Sequence, residues 1–160
     1  PSCPPKSFPN FLMTLVEQIE TELITALKSG DNFSRDTLRL LKSSIKNAEI
    51  EAGQPLSDEQ VVSIIQKEVK KRVEAETLFK QANKPDLAAN EAAEAELLKK
   101  YLPEQMDEGG IKAVVTEYLL SNPTDIAQMG TAMGALSAKL KGKADMGIVS
   151  KILREQIQNG

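Results

Sequence analysis

The chain contains no histidine and no tryptophan, and its 160 residues include a single cysteine, Cys3. The absence of histidine removes the most common acid/base catalyst at neutral pH and the most common zinc ligand. A single cysteine forms neither an intrachain disulfide nor a cysteine-rich metal site. We therefore expect no catalytic residues, no metal site and no bound cofactor.

The net charge and the hydropathy of the chain limit the kinds of partner that it is expected to bind. The chain has 20 basic and 23 acidic side chains, so its net charge of −3 does not attract polyanions and any nucleic-acid site must be a local patch. No apolar run approaches the roughly 20 residues that a membrane span needs, so we expect no membrane partner. The single thiol fits a reducing compartment, and we expect a cytoplasmic protein.

Residues 1–12, PSCPPKSFPNFL, contain four prolines and no helical period. We interpret them as a flexible leader outside the fold, left from cloning or from a transit peptide. A transit origin would change the expected location to an organellar matrix.

From residue 13 to residue 103, apolar residues recur at helical spacing and predict four helices. The first covers 14–29, and the second begins near Ser34 and ends at Gly53. The third opens with a capping box at Ser57 and extends to about Asn83, and the fourth runs from Pro85 to Pro103. Short connections between long helices predict antiparallel hairpins.

Residue types within the third and fourth helices predict which sides are buried. In the third helix we expect the apolar stripe to be buried and the i,i+4 pair Glu68–Arg72 to face solvent. We expect the acidic cluster of the fourth helix to be an ordinary solvated surface rather than a metal or acid/base site. The stripe is Val62, Ile65, Val69 and Val73, and the cluster is Glu91, Glu94 and Glu96.

After Pro103 the sequence changes to shorter, glycine-punctuated elements at 107–121, 125–140 and 145–158. No segment shows the strict alternation of a strand. The prediction is an all-α protein, in which an N-terminal four-helix bundle of long hairpins, 13–103, precedes a small C-terminal three-helix domain, 104–160.

The stretch LKGKADMGIV, residues 140–149, contains a Gly-Lys pair that invites comparison with a phosphate loop. A Walker motif needs a glycine five residues before Gly142 and a Ser or Thr after Lys143, but Ser137 and Ala144 occupy those positions. The local pattern instead predicts a helix stop at Gly142 and a new helix capped by Asp145.

Five basic side chains cluster between residues 139 and 154, with Asp145 as the only acid among them: Lys139, Lys141, Lys143, Lys151 and Arg154. One interpretation is a set of contacts to a polyanion backbone. The other is that lysines near a helix C-terminus interact with its carbonyls and dipole. Gly130 and Gly134, four apart on one helix face, predict close approach of another helix or of a ligand.

The stretch around residues 140–149 and three other segments resemble the GatB/YqeY family, and the similarity is closest to its stand-alone YqeY members. The family signature is matched by MGTAMGALSAKLKGKADMGIV at 129–149 and its Leu-Pro-x-Gln hinge by LPEQM at 102–106. LRLLKSSIKNAEIE at 38–51 and KRVEAETLFKQANKPDL at 71–87 match its second and third helices.

This resemblance implies RNA binding without catalysis. In GatB, a subunit of the glutamine-dependent Glu/Asp-tRNA amidotransferase, the module is the C-terminal tail that contacts tRNA. The expected function is a non-catalytic accessory that binds tRNA or a related structured RNA, with an amidotransferase or aminoacyl-tRNA synthetase as an expected protein partner. The five basic residues would contact phosphates, and Gly130, Gly134 and Gly142 would permit close approach.

Three alternatives stay open. The helical hairpins could bind a partner helix, as in a protein-interaction adaptor, with the lysines only solubilising the surface. The chain could be a component of carbon–nitrogen ligase activity with glutamine as nitrogen donor. The last two helices could form a DNA-binding helix-turn-helix, although the turn between them is long.

Overall fold

The computed structural model describes residues 13–160, and the predicted leader lies outside them. Every helix or strand assignment within these residues is helical, which confirms the all-α prediction. Contacts divide the chain into two compact units, a first unit that ends at Tyr101 and a C-terminal unit, Leu102–Gly160.

The first unit contains four helices, α1 Leu15–Ser29, α2 Asn32–Ala52, α3 Asp58–Gln81 and α4 Pro85–Lys99. α1 packs mainly against α2, and α3 packs along α4, so the unit is built from two helical hairpins. Glycines in the left-handed conformation end α1 and α2, with φ of 75° at Gly30 and 69° at Gly53.

The helix starts follow capping chemistry. Ser57 Oγ accepts from the Gln60 amide and the Gln60 side chain accepts from the Ser57 amide, which confirms the capping box predicted for α3. α2 begins at Asn32, two residues before Ser34, near which its start was predicted. Asp31 is its N-cap, and the Asp31 carboxylate accepts from the Ser34 amide at 3.0 Å.

Of the predicted buried stripe of α3, Ile65 is buried and Val62 and Val69 are partly buried. Val61, Ile65 and Glu68 are buried, whereas Val73 is 42% exposed. The prediction that Val73 belongs to the core is wrong. The face of α3 that packs against neighbouring helices includes Glu68, a charged residue that residue type alone assigns to solvent.

The charged residues of α3 and α4 correct two further predictions. Arg72 is only 16% exposed at its side chain, and its Nε lies 2.7 Å from a carboxylate oxygen of Glu94. The Glu68 side chain is 10% exposed and accepts from Ser44 Oγ of α2 at 3.1 Å. Glu68, Arg72, Glu91 and Glu94 therefore form a partly buried cluster, and only Glu96 lies at the surface as predicted.

Tyr101 closes the first unit. Its ring is buried, and its hydroxyl donates to a carboxylate oxygen of Glu22 on α1 at 2.5 Å. Burial raises the pKa of Tyr101 well above its usual range, and the hydrogen bond to the Glu22 carboxylate raises it further.

Deprotonation of Tyr101 should therefore lower the free energy of unfolding at alkaline pH. The unfolded tyrosine loses its proton near pH 10, and the folded one holds it to higher pH. The stabilisation is fully present below about pH 10 and is lost as the pH rises, by at most about 1.4 kcal/mol per pH unit. Urea unfolding of wild type and Tyr101→Phe between pH 8 and pH 11 checks this. Parallel pH profiles for the two proteins would contradict it.

The C-terminal unit contains α5 Glu108–Ser121, a 3₁₀ turn Ile126–Gln128, α6 Met129–Leu140 and α7 Met146–Asn159. Asp107 caps α5 and Asp125 caps the 3₁₀ turn, while Asp145 caps α7, as predicted for residue 145. Side chains of all three helices meet in one core: Ile111, Val115, Ala132, Leu136, Leu140, Ala144, Val149, Ile152 and Leu153.

Candidate nucleic-acid interface

The connection between α6 and α7, residues 141–145, is called here the basic turn. Gly142 adopts a left-handed φ of 79°, as expected for a helix stop. The amides of Lys143 and Ala144 both donate to the carbonyl of Leu140, and Ala144 is buried in the core. The backbone between Lys141 and Asp145 therefore has a defined conformation, and its two lysines extend from a fixed support.

The five predicted basic residues are all exposed. Lys139 lies in the last turn of α6, Lys141 is its C-cap residue, and Lys143 follows Gly142. Lys151 and Arg154 lie on α7, on the side opposite its buried residues. The structure thus presents the whole predicted set to solvent, along the end of α6, the basic turn and the outer face of α7.

These cations differ from those of the first unit in their ion pairing. Lys139, Lys143, Lys151 and Arg154 form no ion pair within the described part of the chain. In the first unit, by contrast, many basic side chains pair with carboxylates, among them Arg35, Lys42, Lys46, Lys71, Arg72, Lys80 and Lys99. Lys139, Lys143, Lys151 and Arg154 are therefore available for an external anion.

The helix-dipole interpretation explains only part of the patch. Lys139 and Lys141 stand at the C-terminus of α6, where positive charge is favourable. Lys151 lies within α7, which continues to Asn159, and the dipole effect falls off within one turn. Position in the helix therefore gives no reason for a cation at residue 151.

Gly130 and Gly134 lie on the exposed side of α6, opposite its buried stripe. A Cβ atom built on either glycine has no atom within 4 Å among the described residues. The predicted close approach of a helix is therefore not found within this part of the chain. With exposed Ala138, these glycines form a smooth face that leads to Lys141.

The N-terminus of α7 is already occupied by a carboxylate of the chain. Asp145 accepts from the amides of Gly147 at 2.7 Å and Ile148 at 3.3 Å. These amide groups would otherwise form the anion site that a helix N-terminus offers to a single phosphate. The arrangement thus favours contacts from mobile side chains over a backbone phosphate cradle.

Two shallow grooves border this region of the C-terminal unit. The larger, of about 530 Å³, lies between the start of α5 and the end of α7, where Lys112 and Glu155 contribute to its lining. The second, of about 490 Å³, is lined by residues 103–107 and Lys143. Among residues 13–160, no group of three or more acidic or cysteine side chains is arranged to hold a metal ion.

None of the helices in the described range is both long enough and apolar enough to cross a membrane. The family described as Yqey-like protein matches residues 16–157, which is most of the chain. The chain belongs to this family.

Curated relatives of this YqeY-like chain occur in fungi. It is 34% identical over 125 residues to the "Altered inheritance of mitochondria protein 41, mitochondrial" of Clavispora lusitaniae, covering 76% of this chain and 71% of that protein. It is 27% identical over 146 residues to the protein of the same name in Pyrenophora tritici-repentis, covering 89% and 81%. Both names describe those relatives as mitochondrial.

Proposed function

We propose that the C-terminal unit binds a structured RNA, with tRNA as the expected class, and that it performs no chemistry on that RNA. Lys139, Lys141, Lys143, Lys151 and Arg154 contact phosphates, while the smooth face of Gly130 and Gly134 and the turn at Gly142 let the backbone approach. The resemblance to the tRNA-contacting tail of GatB supports tRNA as the class.

One observation carries the proposal, namely the segregation of exposed basic side chains into one stretch of the C-terminal unit. The C-terminal unit has six basic and seven acidic side chains, so enough carboxylates exist to pair every cation. The sequence nevertheless separates the charges, with five of the six cations between residues 139 and 154 and only Asp145 as an acid there. Such segregation in a unit of nearly zero net charge is the electrostatic footprint of a polyanion site.

The shape of the patch favours an extended polyanion over a small phosphorylated ligand. The basic residues follow the end of α6, the basic turn and the outer side of α7 rather than lining one cavity. A rise of 1.5 Å per residue puts Lys151 and Arg154 about 4.5 Å apart along α7. A nucleic-acid backbone offers repeated phosphates to side chains spaced in this way.

Binding of total tRNA to the purified chain should depend steeply on salt. Five phosphate contacts predict a log–log slope of about −3.5 to −4.5, hence a loss of roughly 100- to 500-fold in affinity between 50 and 200 mM salt. Lys141→Glu combined with Lys143→Glu should weaken binding by about 10- to 100-fold at 50 mM salt and reduce the slope, because two contacts become repulsive. Filter-binding titrations measure both quantities.

A matched control makes the same change of net charge in the first unit, outside the patch. Lys28→Glu combined with Lys67→Glu alters two exposed lysines of the first unit and should leave tRNA affinity within about twofold. Equal losses in the two double variants would indicate attraction by bulk charge only and contradict the proposal. Absence of wild-type binding at low salt would contradict it outright.

Partner and compartment belong to the same proposal. An amidotransferase or aminoacyl-tRNA synthetase partner held through RNA should be lost from pull-downs after nuclease treatment, whereas a protein-interaction adaptor would keep its partner. The relatives' names support mitochondria over the cytoplasm as the compartment. Fractionation of cells that express the full-length gene product tests this, and recovery in the cytosolic fraction would contradict it.

A further inference from the structure

The segment that precedes α5 is hydrogen-bonded to the basic turn. The amide of Met106 donates to the carbonyl of Lys143 at 2.8 Å. Gln105 Nε2 donates to the carbonyl of Gly142 at 2.7 Å and to the carbonyl of Pro103 at 2.8 Å. Two successive carbonyls of the turn are therefore held by two successive residues that lie more than thirty positions earlier in the chain.

These two carbonyls belong to the two peptide bonds on either side of Lys143. α6 ends at Leu140, so the carbonyls beyond it have no partner from a continuing helix. Gly142 adopts the left-handed conformation. Glycine populates positive and negative φ about equally readily, so sterics alone do not hold it there. The bonds from Gln105 and Met106 therefore restrict a part of the turn that would otherwise have conformational freedom.

Packing holds the donor segment itself in place. The Met106 side chain packs against the core of the C-terminal unit. It also lies over Gly110 of α5, where an added Cβ would come within 2.6 Å of Met106 Cγ. The absence of a side chain at residue 110 thus gives Met106 its position, and Met106 brings the adjacent Gln105 to the turn.

We propose that Gln105 is a positioning residue for RNA binding. By fixing the carbonyl of Gly142, it sets the direction in which Lys143 leaves the turn, and it contributes no charge of its own. This inference rests on the proposed RNA-binding function and assigns the control of that site to the 103–106 segment. Preorganisation of this kind raises affinity because fewer conformations are lost on binding.

The test compares Gln105→Met with Gln158→Met, a matched change at an exposed glutamine of α7. Gln105→Met removes the donor at nearly constant volume. Amide hydrogen exchange of the free chain should become faster at residues 141–145 and stay unchanged at Val115 in the core. Affinity for total tRNA should fall about three- to tenfold, with the salt slope unchanged, whereas Gln158→Met should alter none of these quantities.

Each other outcome overturns the inference. Unchanged exchange in the turn would show that Gln105 does not restrain it, and faster exchange with full affinity would show that the restraint is irrelevant to binding. Faster exchange throughout the unit would indicate general destabilisation. A smaller salt slope would mean that residue 105 acts on the phosphate contacts themselves. Absence of wild-type tRNA binding would end the proposed function and this inference together, while any of the preceding results leaves the proposed function standing.

Discussion

Replacing Arg72 by methionine is expected to destabilise the first unit by about 3 kcal/mol, because it leaves three carboxylates of the α3–α4 hairpin without their shared cation. Arg72 Nε lies 2.7 Å from Glu94 and 3.8 Å from Glu91, and Nη2 lies 3.8 Å from Glu68. All four side chains are at most 21% exposed, so water screens the remaining repulsion poorly. Urea unfolding followed by circular dichroism measures the loss.

The adjacent lysine provides the control for this change. Lys71 pairs with Glu68 at 3.1 Å, but its side chain is 65% exposed. Lys71→Met should therefore cost less than about 0.5 kcal/mol. Similar losses for Lys71→Met and Arg72→Met would contradict the idea that burial of the guanidinium decides the effect.

The substitution Glu91→Gln tests whether all three carboxylates around Arg72 contribute to the stability of the first unit. Neither Arg72 Nε nor Glu91 Oε2 has a hydrogen-bond partner among the described residues, although both lie in ion-pair range of opposite charge. Glu91 thus adds a third carboxylate, which lies 3.8 Å from Arg72 Nε and, unlike Glu68, has no hydrogen bond from Ser44 or Lys71. Glu91→Gln should be close to neutral in stability, and a loss as large as that of Arg72→Met would show that Glu91 is an essential partner.

The helices could be predicted from the sequence because their ends carry local chemical signals. The capping box at Ser57, the left-handed glycine at residue 53 and the proline at residue 85 each act within a few residues, so no tertiary information is needed. α4 shows the limit of this reasoning. It ends at Lys99, before the predicted stop at Pro103, because the amides of residues 100 and 101 donate to carbonyls three positions earlier.

The buried charge cluster could not be predicted in the same way. Glu68 and Arg72 are four residues apart on α3, which is the spacing of an ordinary surface pair. Only the packing of α3 along α4 and α2 reveals that Glu94 and Ser44 face them. Residue type favours solvent for such charges, and the exception depends on partners that lie in other helices.

In the candidate site, too, the features set by local sequence could be predicted, and the contact between distant segments could not. Exposure of the basic residues followed from their type and from the glycine stop at residue 142, both of which are local. The hydrogen bond from Gln105 to the basic turn could not be predicted, although LPEQM matches a family motif. This bond to the Gly142 carbonyl joins distant parts of the chain, and a glutamine gives no indication in the sequence of which carbonyl it will contact.

The C-terminal unit should be the part of the molecule most sensitive to loss of core volume, and Leu136→Ala is expected to show it. Leu136 is fully buried in α6 at the centre of that core. Such a truncation costs about 2–5 kcal/mol. A unit of fewer than sixty residues has a total stability of roughly 3–9 kcal/mol, so a large share of it would be lost.

Two-dimensional amide NMR spectra should separate the response of the two units. In Leu136→Ala we expect the resonances of residues 102–160 to broaden or collapse towards unfolded positions, while resonances of α3 and α4 persist. Leu120→Ala, at a leucine that is 80% exposed, is the matched control and should leave both sets of resonances in place. Because the basic turn is attached to this core through Ala144 and Leu140, tRNA binding should disappear together with the C-terminal resonances. Collapse of both units in Leu136→Ala would instead show that they unfold as one cooperative body.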